Sequence, residues 1–272
     1  GVRHVGGING GVHDTHFLCE PGTTCLDNID LTALTVANTK GRSADLTWRL
    51  PNHVPPNPIE DACIKLINFK SRWRVFAIYQ EEGADIGQWG EQEQSKHTPD
   101  PFAGPWNHWP VGLNPSDGRY AVSTDRVTHA ALGGGNPGST ILHGFTDQPA
   151  PSLAALAKSW NRPPAVEDVR NGESRGYDRN QRAYVLTAAA RSISLTLRGS
   201  KDSPIHNPCL VIGNWDSAAA ARVTINDKEV APGKAFRQGV VRTPTGGTTR
   251  ILYFDLRSES TARFEIREAS LE

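Results

Sequence analysis

Strict alternation of apolar and polar residues limits this chain more than any other feature. In "SADLTWRL" (43–50) Ala44, Leu46, Trp48 and Leu50 alternate with Ser43, Asp45, Thr47 and Arg49, and an extended strand is what puts such a set on one face. Further strand candidates are "LTALTVAN", "ACIKLINF" and "RWRVFAIY", then "YVLTAA", "SISLTLR", "ARVTIN", "TTRILYFDLR" and "ARFEIR" beyond residue 180. "TINDKEV" reads as a hairpin, because Asn226 and Asp227 tolerate the left-handed conformations of a tight turn. A helical period is clear in one stretch, "PSLAALAKSWNRPP". There Ser152 is placed to cap, Leu153, Leu156, Ala157 and Trp160 share a face, and Pro163 stops the helix. The expected fold is all-β, antiparallel β-sandwiches in two β units joined by one short helix. A larger sandwich is expected at 1–150 with a long ordered loop at 80–138, helix and linker at 151–175, and a smaller sandwich at 176–272.

Charge narrows the partners. Lys plus Arg and Asp plus Glu each number 29, and no block of like charge is long, so neither a nucleic acid nor an anionic membrane surface is indicated. Arg outnumbers Lys 21 to 8, and the guanidinium fork suits carboxylate or sulfate recognition better than an ammonium does. No apolar run approaches the roughly 18 residues of a membrane helix. The sequence has no Met, so Gly1 is expected to be a processing boundary and the protein to be secreted, extracellular or periplasmic. In "CEPGTTC" a Pro-Gly turn separates Cys19 from Cys25, and a disulfide between them is expected; the competing reading is four reduced, mostly buried thiols. Five residues lie between these cysteines, against the roughly two to four of a zinc half-site.

From Gln80 to about Gly138 alternation almost disappears, yet Trp89, Phe102, Trp106, Trp109 and Tyr120 give the segment enough apolar surface to pack. Its "PFAGPWNHWPVGLNPSDGRY" (101–120) is too rich in Pro and Gly for a regular helix or an interior strand, and an ordered functional excursion is expected. Within it Trp106 and Trp109 could stack on sugar rings while Asn107, Asp117, Arg126 and His129 hydrogen-bond hydroxyls or carboxylates. On a uronic acid the same set allows β-elimination. Arg119 or Asn107 would neutralise the carboxylate, and His108 and Tyr120 would serve as base and acid. The competing reading is that both tryptophans cover a sheet edge and Asp117 pairs with Arg119 in a turn. His13, Asp14 and His16 in "HDTH" are too few for a metal on their own, so loop histidines are expected, with no metal and no cofactor. "GGGNPG" (133–138) reads as a turn, and neither a Gly-x-Ser-x-Gly elbow nor a His-Glu-x-x-His motif occurs.

"YDRNQRAYVLT", "KDSPIHNPCLVIGNW" and "VTINDKEVAPGKAFRQGVV", together with "WNHWPVGLNPSDGR", resemble the C-terminal β-sandwich portion of large secreted bacterial proteins related to polysaccharide lyases. In that family an α-helical toroid precedes the sandwiches. The resemblance spans about residues 60–265 and implies a polysaccharide-associated role, with His108, Arg119 and Tyr120 at the matching positions. The toroid, which supplies one wall of the cleft, has no counterpart in this sequence, so a missing N-terminal domain or another chain is an expected partner. The expectation is a lyase, or its β part, acting on an acidic, uronate-containing polysaccharide. The alternative is a non-catalytic carbohydrate-binding or structural subunit.

Overall fold

The computed structural model describes residues 2–6, 29–46, 59–70, 72–79, 111–114, 119–122, 138–242 and 246–269. The chain is all-β, as the alternation requires, and divides into two units, residues 1–157 and 158–272. The first contains β1 (Val2–Gly6), β2 (Ile29–Asn38), β3 (Ser43–Leu46), β4 (Ala62–Phe69), β5 (Arg74–Ile78), β6 (Val111–Asn114), β7 (Arg119–Val122) and β8 (Gly138–Thr146). Six of these form one antiparallel sheet in the order β1-β8-β5-β4-β2-β3, and β6 and β7 form a separate ribbon.

Strand β4 lies inside this sheet and is buried at every position from Ala62 to Asn68. Cover on both faces explains why "ACIKLINF" is nearly continuous in apolar residues rather than alternating. Its polar members are accommodated by hydrogen bonds. Asn68 Nδ2 donates to Thr35 Oγ1 and to Thr32 O, both at 2.9 Å, and Thr35 Oγ1 donates to Asp45 Oδ1 at 2.6 Å. After β8 a 3-10 turn (Ala150–Leu153) leads into α1 (Ala154–Asn161). Leu153, Leu156, Ala157 and Trp160 are buried, as their spacing predicts. Ser152 is not the cap that the sequence suggests: the turn starts from Pro149 without a side-chain cap, and Ser152 N donates to Pro149 O at 3.0 Å.

The second unit is a sandwich. Its strands are β9 (Ala165–Arg170), β10 (Gly172–Asp178), β11 (Ala183–Ala188), β12 (Ser192–Arg198), β13 (Ile205–His206), β14 (Cys209–Gly213), β15 (Ala221–Ile225), β16 (Lys228–Val230), β17 (Phe236–Arg242), β18 (Thr248–Phe254), β19 (Arg257–Ser258) and β20 (Ala262–Glu268). One sheet runs β10-β11-β14-β18-β17 and the other β16-β15-β20-β12-β9. β11 and β14 are parallel, since β12 lies between them in sequence and belongs to the other sheet. Strands β9 and β10 occupy residues expected as linker. Their polar "AVEDVRNGESRGYD" has too little apolar alternation to be recognised, as expected of strands at a sheet edge. The expected hairpin is present: Ile225 pairs with Lys228, and Asn226 and Asp227 have φ of 49° and 63°.

Inward positions of both sheets meet in one core. Leu186, Leu210, Ile212, Leu252 and Phe254 come from the first sheet, and Ile193, Leu195, Leu197, Val223, Phe264 and Ile266 from the second. Phe254 stacks on Phe236 with centroids 5.8 Å apart and meets the edge of Phe264, across the sheets, at 5.1 Å. Arg250, 2% exposed, is the polar exception. Its guanidinium donates to Gln238 Oε1 and Ser217 O, both at 3.2 Å, and to Ala219 O, and lies 5.9 Å from the Trp215 ring. These bonds tie down the segment that carries the chain from β14 to β15, while burial pushes the Arg250 pKa down. At Gln238 the carboxamide also binds both backbone groups of Ala221, linking β17 to β15.

Two outcomes test this packing. A Cβ on Gly172 would meet Thr187 O at 2.4 Å and Ile193 Cδ1 at 2.7 Å, whereas one on Gly239 meets nothing within 4 Å. Gly172→Ala should therefore destabilise the chain by about 1–3 kcal/mol and Gly239→Ala by no more than about 0.5 kcal/mol in thermal unfolding; equal effects would refute the packing at β10. The second outcome concerns pH. Burial, then Arg182 and Arg257, push the His206 imidazole from 6.5 down to about 4, with Asp255 acting in the opposite sense. The unfolded chain binds the extra proton first, so this contribution to stability is complete above pH 6.5 and is lost as the pH falls to about 4. Urea midpoints should show a loss on the order of 3 kcal/mol across that window, reduced in His206→Gln. An unchanged acid limb in the variant would show that another group is responsible.

Candidate functional site

Of the residues singled out in the excursion, Arg119 and Tyr120 fall on described backbone, in β7, where Arg119 pairs with Asn114 and Tyr120 with Leu113. Trp106, Asn107, His108, Trp109, Asp117, Arg126 and His129 lie outside the described residues, as do His13, Asp14, His16, Cys19 and Cys25. Cys63 and Cys209 are not in disulfides, the first buried and the second half-buried. Among the described residues no group of three or more His, Cys, Asp or Glu is arranged to hold a metal. No helix among them is long and apolar enough to cross a membrane.

Topology fixes the roots of the excursion. It leaves after Tyr79, which follows β5, and re-enters at Gly138, the first residue of β8, the antiparallel neighbour of β5. At this root stands a polar pair that the sequence reading missed. Lys65 Nζ donates to Tyr79 Oη at 2.6 Å, and Tyr79 N donates to Cys63 O at 2.9 Å, extending the ladder one step beyond β5. Lys65 is paired with Ala77 and Ala77 with His143, so the lysine and the histidine stand on the same face across three strands. An ammonium donating to a phenol stabilises the phenolate, as a proton-abstracting tyrosine requires. Exposure decides against that role: Lys65 and Tyr79 are each 1% accessible, and a base must reach its substrate. The pair is a brace where the excursion begins.

At the other end of β5 the surface is open. Trp73 immediately precedes the strand and Phe145 is paired with Val75; they are 55% and 64% exposed, the most exposed large apolar side chains among the described residues. The Arg72 guanidinium lies 5.7 Å from the Trp73 ring and binds Asp147 Oδ2 through Nη2 at 2.6 Å and Nε at 3.1 Å. Hydrogen bonds from Gln148 and then Arg72 hold the Asp147 carboxyl below its usual range. Two aromatic surfaces with a cation and a carboxylate beside them can take the apolar face of a sugar ring and its polar rim. Along β5 this platform lies about 20 Å from Tyr79.

These residues had partial signals in the sequence. An ionisable residue inside the apolar run "ACIKLINF" marks Lys65 as one that must find a partner. "SRWRVF" places Trp73 between two cations, but its exposure depends on where the strand ends. Comparison of the chain with protein-family models, curated proteins and solved structures returns no match. A double-mutant cycle on Lys65→Met and Tyr79→Phe should give a coupling of about 0.5–3 kcal/mol in unfolding free energy; additivity of the two changes would refute the brace.

Proposed function

We propose that the chain acts on an acidic, uronate-containing polysaccharide outside the cytoplasm, as a lyase or the β-sandwich part of one. The observation that carries the glycan reading is the exposed Trp73 and Phe145 pair with Arg72 beside it. Sugars offer apolar C–H faces ringed by hydroxyls; the exposed rings complement the first feature, and the Arg72–Asp147 ion pair beside them offers a donor and an acceptor to the second. The resemblance to the sandwich portion of lyase-like proteins supports the same substrate class.

In the catalytic version the chemistry belongs to the excursion. Arg119 neutralises the C5 carboxylate, His108 or Tyr120 removes the C5 proton, and the other protonates the departing O4, leaving a C4–C5 double bond. Arg119 and Tyr120 are consecutive residues of β7; successive strand positions alternate between faces, so the two can serve one substrate only across an edge of the ribbon. Secretion would place Cys19 and Cys25 where a disulfide persists. The second reading, a non-catalytic carbohydrate-binding subunit, is favoured by the same platform, since exposed rings alone suffice for it.

Binding and chemistry are separable in one experiment. Calorimetry with a polyuronate should show binding that Trp73→Ala or Phe145→Ala weakens by about 1–3 kcal/mol. Ultraviolet absorbance of the unsaturated uronate should rise on incubation and be abolished by His108→Ala or Tyr120→Phe. Binding without the unsaturated product selects the binding subunit; absence of binding to any polyuronate rejects the glycan reading.

A further inference from the structure

The two sheets of the second unit share a core but differ in their outward faces. On the β16-β15-β20-β12-β9 sheet the outward positions are polar or charged, with Arg263, Glu265 and Arg267 on β20 and Ser194 and Thr196 on β12. On the other sheet Val185, Val211, Ile251 and Gly239 stand side by side on four adjacent strands, in register. Beside this row Val241 is 51% and Tyr253 36% exposed. Arg237, paired with Tyr253, is the one charged outward residue on β11, β14, β18 and β17. Glu173 lies beyond them on the edge strand β10. A Cβ on Gly239 would meet nothing within 4 Å, so the row ends in open space at the edge strand β17.

An apolar sheet face turned outward needs an occupant. Four strands and three residue rows cover roughly 400 Å², about half of the 800 Å² per partner that a stable dimer uses. The face is too small to hold a second copy by itself. It suits a narrow ligand lying across the strands, with one aromatic ring to stack on and one guanidinium to hold an anion. Thr187 and Thr249, outward on β11 and β18, add hydroxyls of the kind that bind sugars. Cys209, next to Tyr253, remains a thiol, since burial pushes its pKa up.

We propose that this face is a second glycan-binding surface, taking a segment of acidic polysaccharide with Tyr253 under a sugar ring, Arg237 on its carboxylate and Gly239 leaving room for the chain. The choice of ligand rests on the polysaccharide reading of the first unit. The test uses the full chain, a polyuronate and a neutral glucan in calorimetry, with sedimentation to follow assembly. Tyr253→Ala should weaken polyuronate binding about tenfold or more. Arg237→Gln should do so by a similar factor for the polyuronate and leave the neutral glucan unchanged. Gly239→Glu fills open space without a clash, so it should fold normally and repel the polyanion. If Trp73→Ala weakens binding while all three of these variants bind as the parent does, this surface is refuted and the polysaccharide reading stands. If no polyuronate binds, both fall. If the parent is a dimer that Gly239→Glu turns into monomer with glycan binding unchanged, the face is a self-interface and the proposal is wrong.

Discussion

The meeting of Phe254 with Phe236 and Phe264 is the contact on which the second unit rests. One ring from each sheet and a third alongside close the core, each burial contributing about 1.5–3 kcal/mol and the ring pairs about 0.5–1.5 kcal/mol more. Once Phe254 points inward, alternation forces Leu252 and Arg250 inward too. Arg250 consequently sits in the core, where no carboxylate among the described residues forms an ion pair with it and Glu268 acts on it only through space. Backbone carbonyls and Gln238 accept from its two Nη atoms and the Trp215 ring lies alongside, contacts that offset part of the cost of burying the cation while fixing a crossover between sheets. The outward positions are released from packing by the same rule. Their chemistry is therefore free to differ, charged on one side and apolar on the other.

The first unit meets the same constraint differently. β4 is covered on both faces, so each polar group on it needs an internal partner. Asn68 finds Thr35, and Lys65 finds Tyr79. Both are cross-strand pairs that alternation places on opposite faces of the sheet, and each fixes β4 against a neighbour through a bond lost if the register slips.

The strands that were legible in the sequence are those with one wet face: β12 and β20 alternate cleanly because their inward residues meet the core and their outward ones meet water. β14, "CLVIG", was missed because its outward face is apolar too, which removes the alternation. β9 and β10 were missed for the opposite reason, since most of their side chains are polar or small. Trp73 and Phe145 were unread as a pair because they are distant in sequence and only the pairing of β5 with β8 brings them to one end of the sheet. The excursion residues came from composition and resemblance; of these, Arg119 and Tyr120 fall on described backbone, in β7.

The way the excursion is rooted has a consequence for how this protein can change. Its two ends belong to strands that are hydrogen-bonded neighbours, so the sheet sees it as a hairpin connection whose length is almost free. Doubling such a connection costs only about 0.6 kcal/mol of closure entropy. Whole segments can therefore be exchanged, shortened or inserted between Tyr79 and Gly138 while the six strands keep their register. The sheet is a chassis, and ligand preference can be rewritten by recombination at one place in the gene without renegotiating the fold.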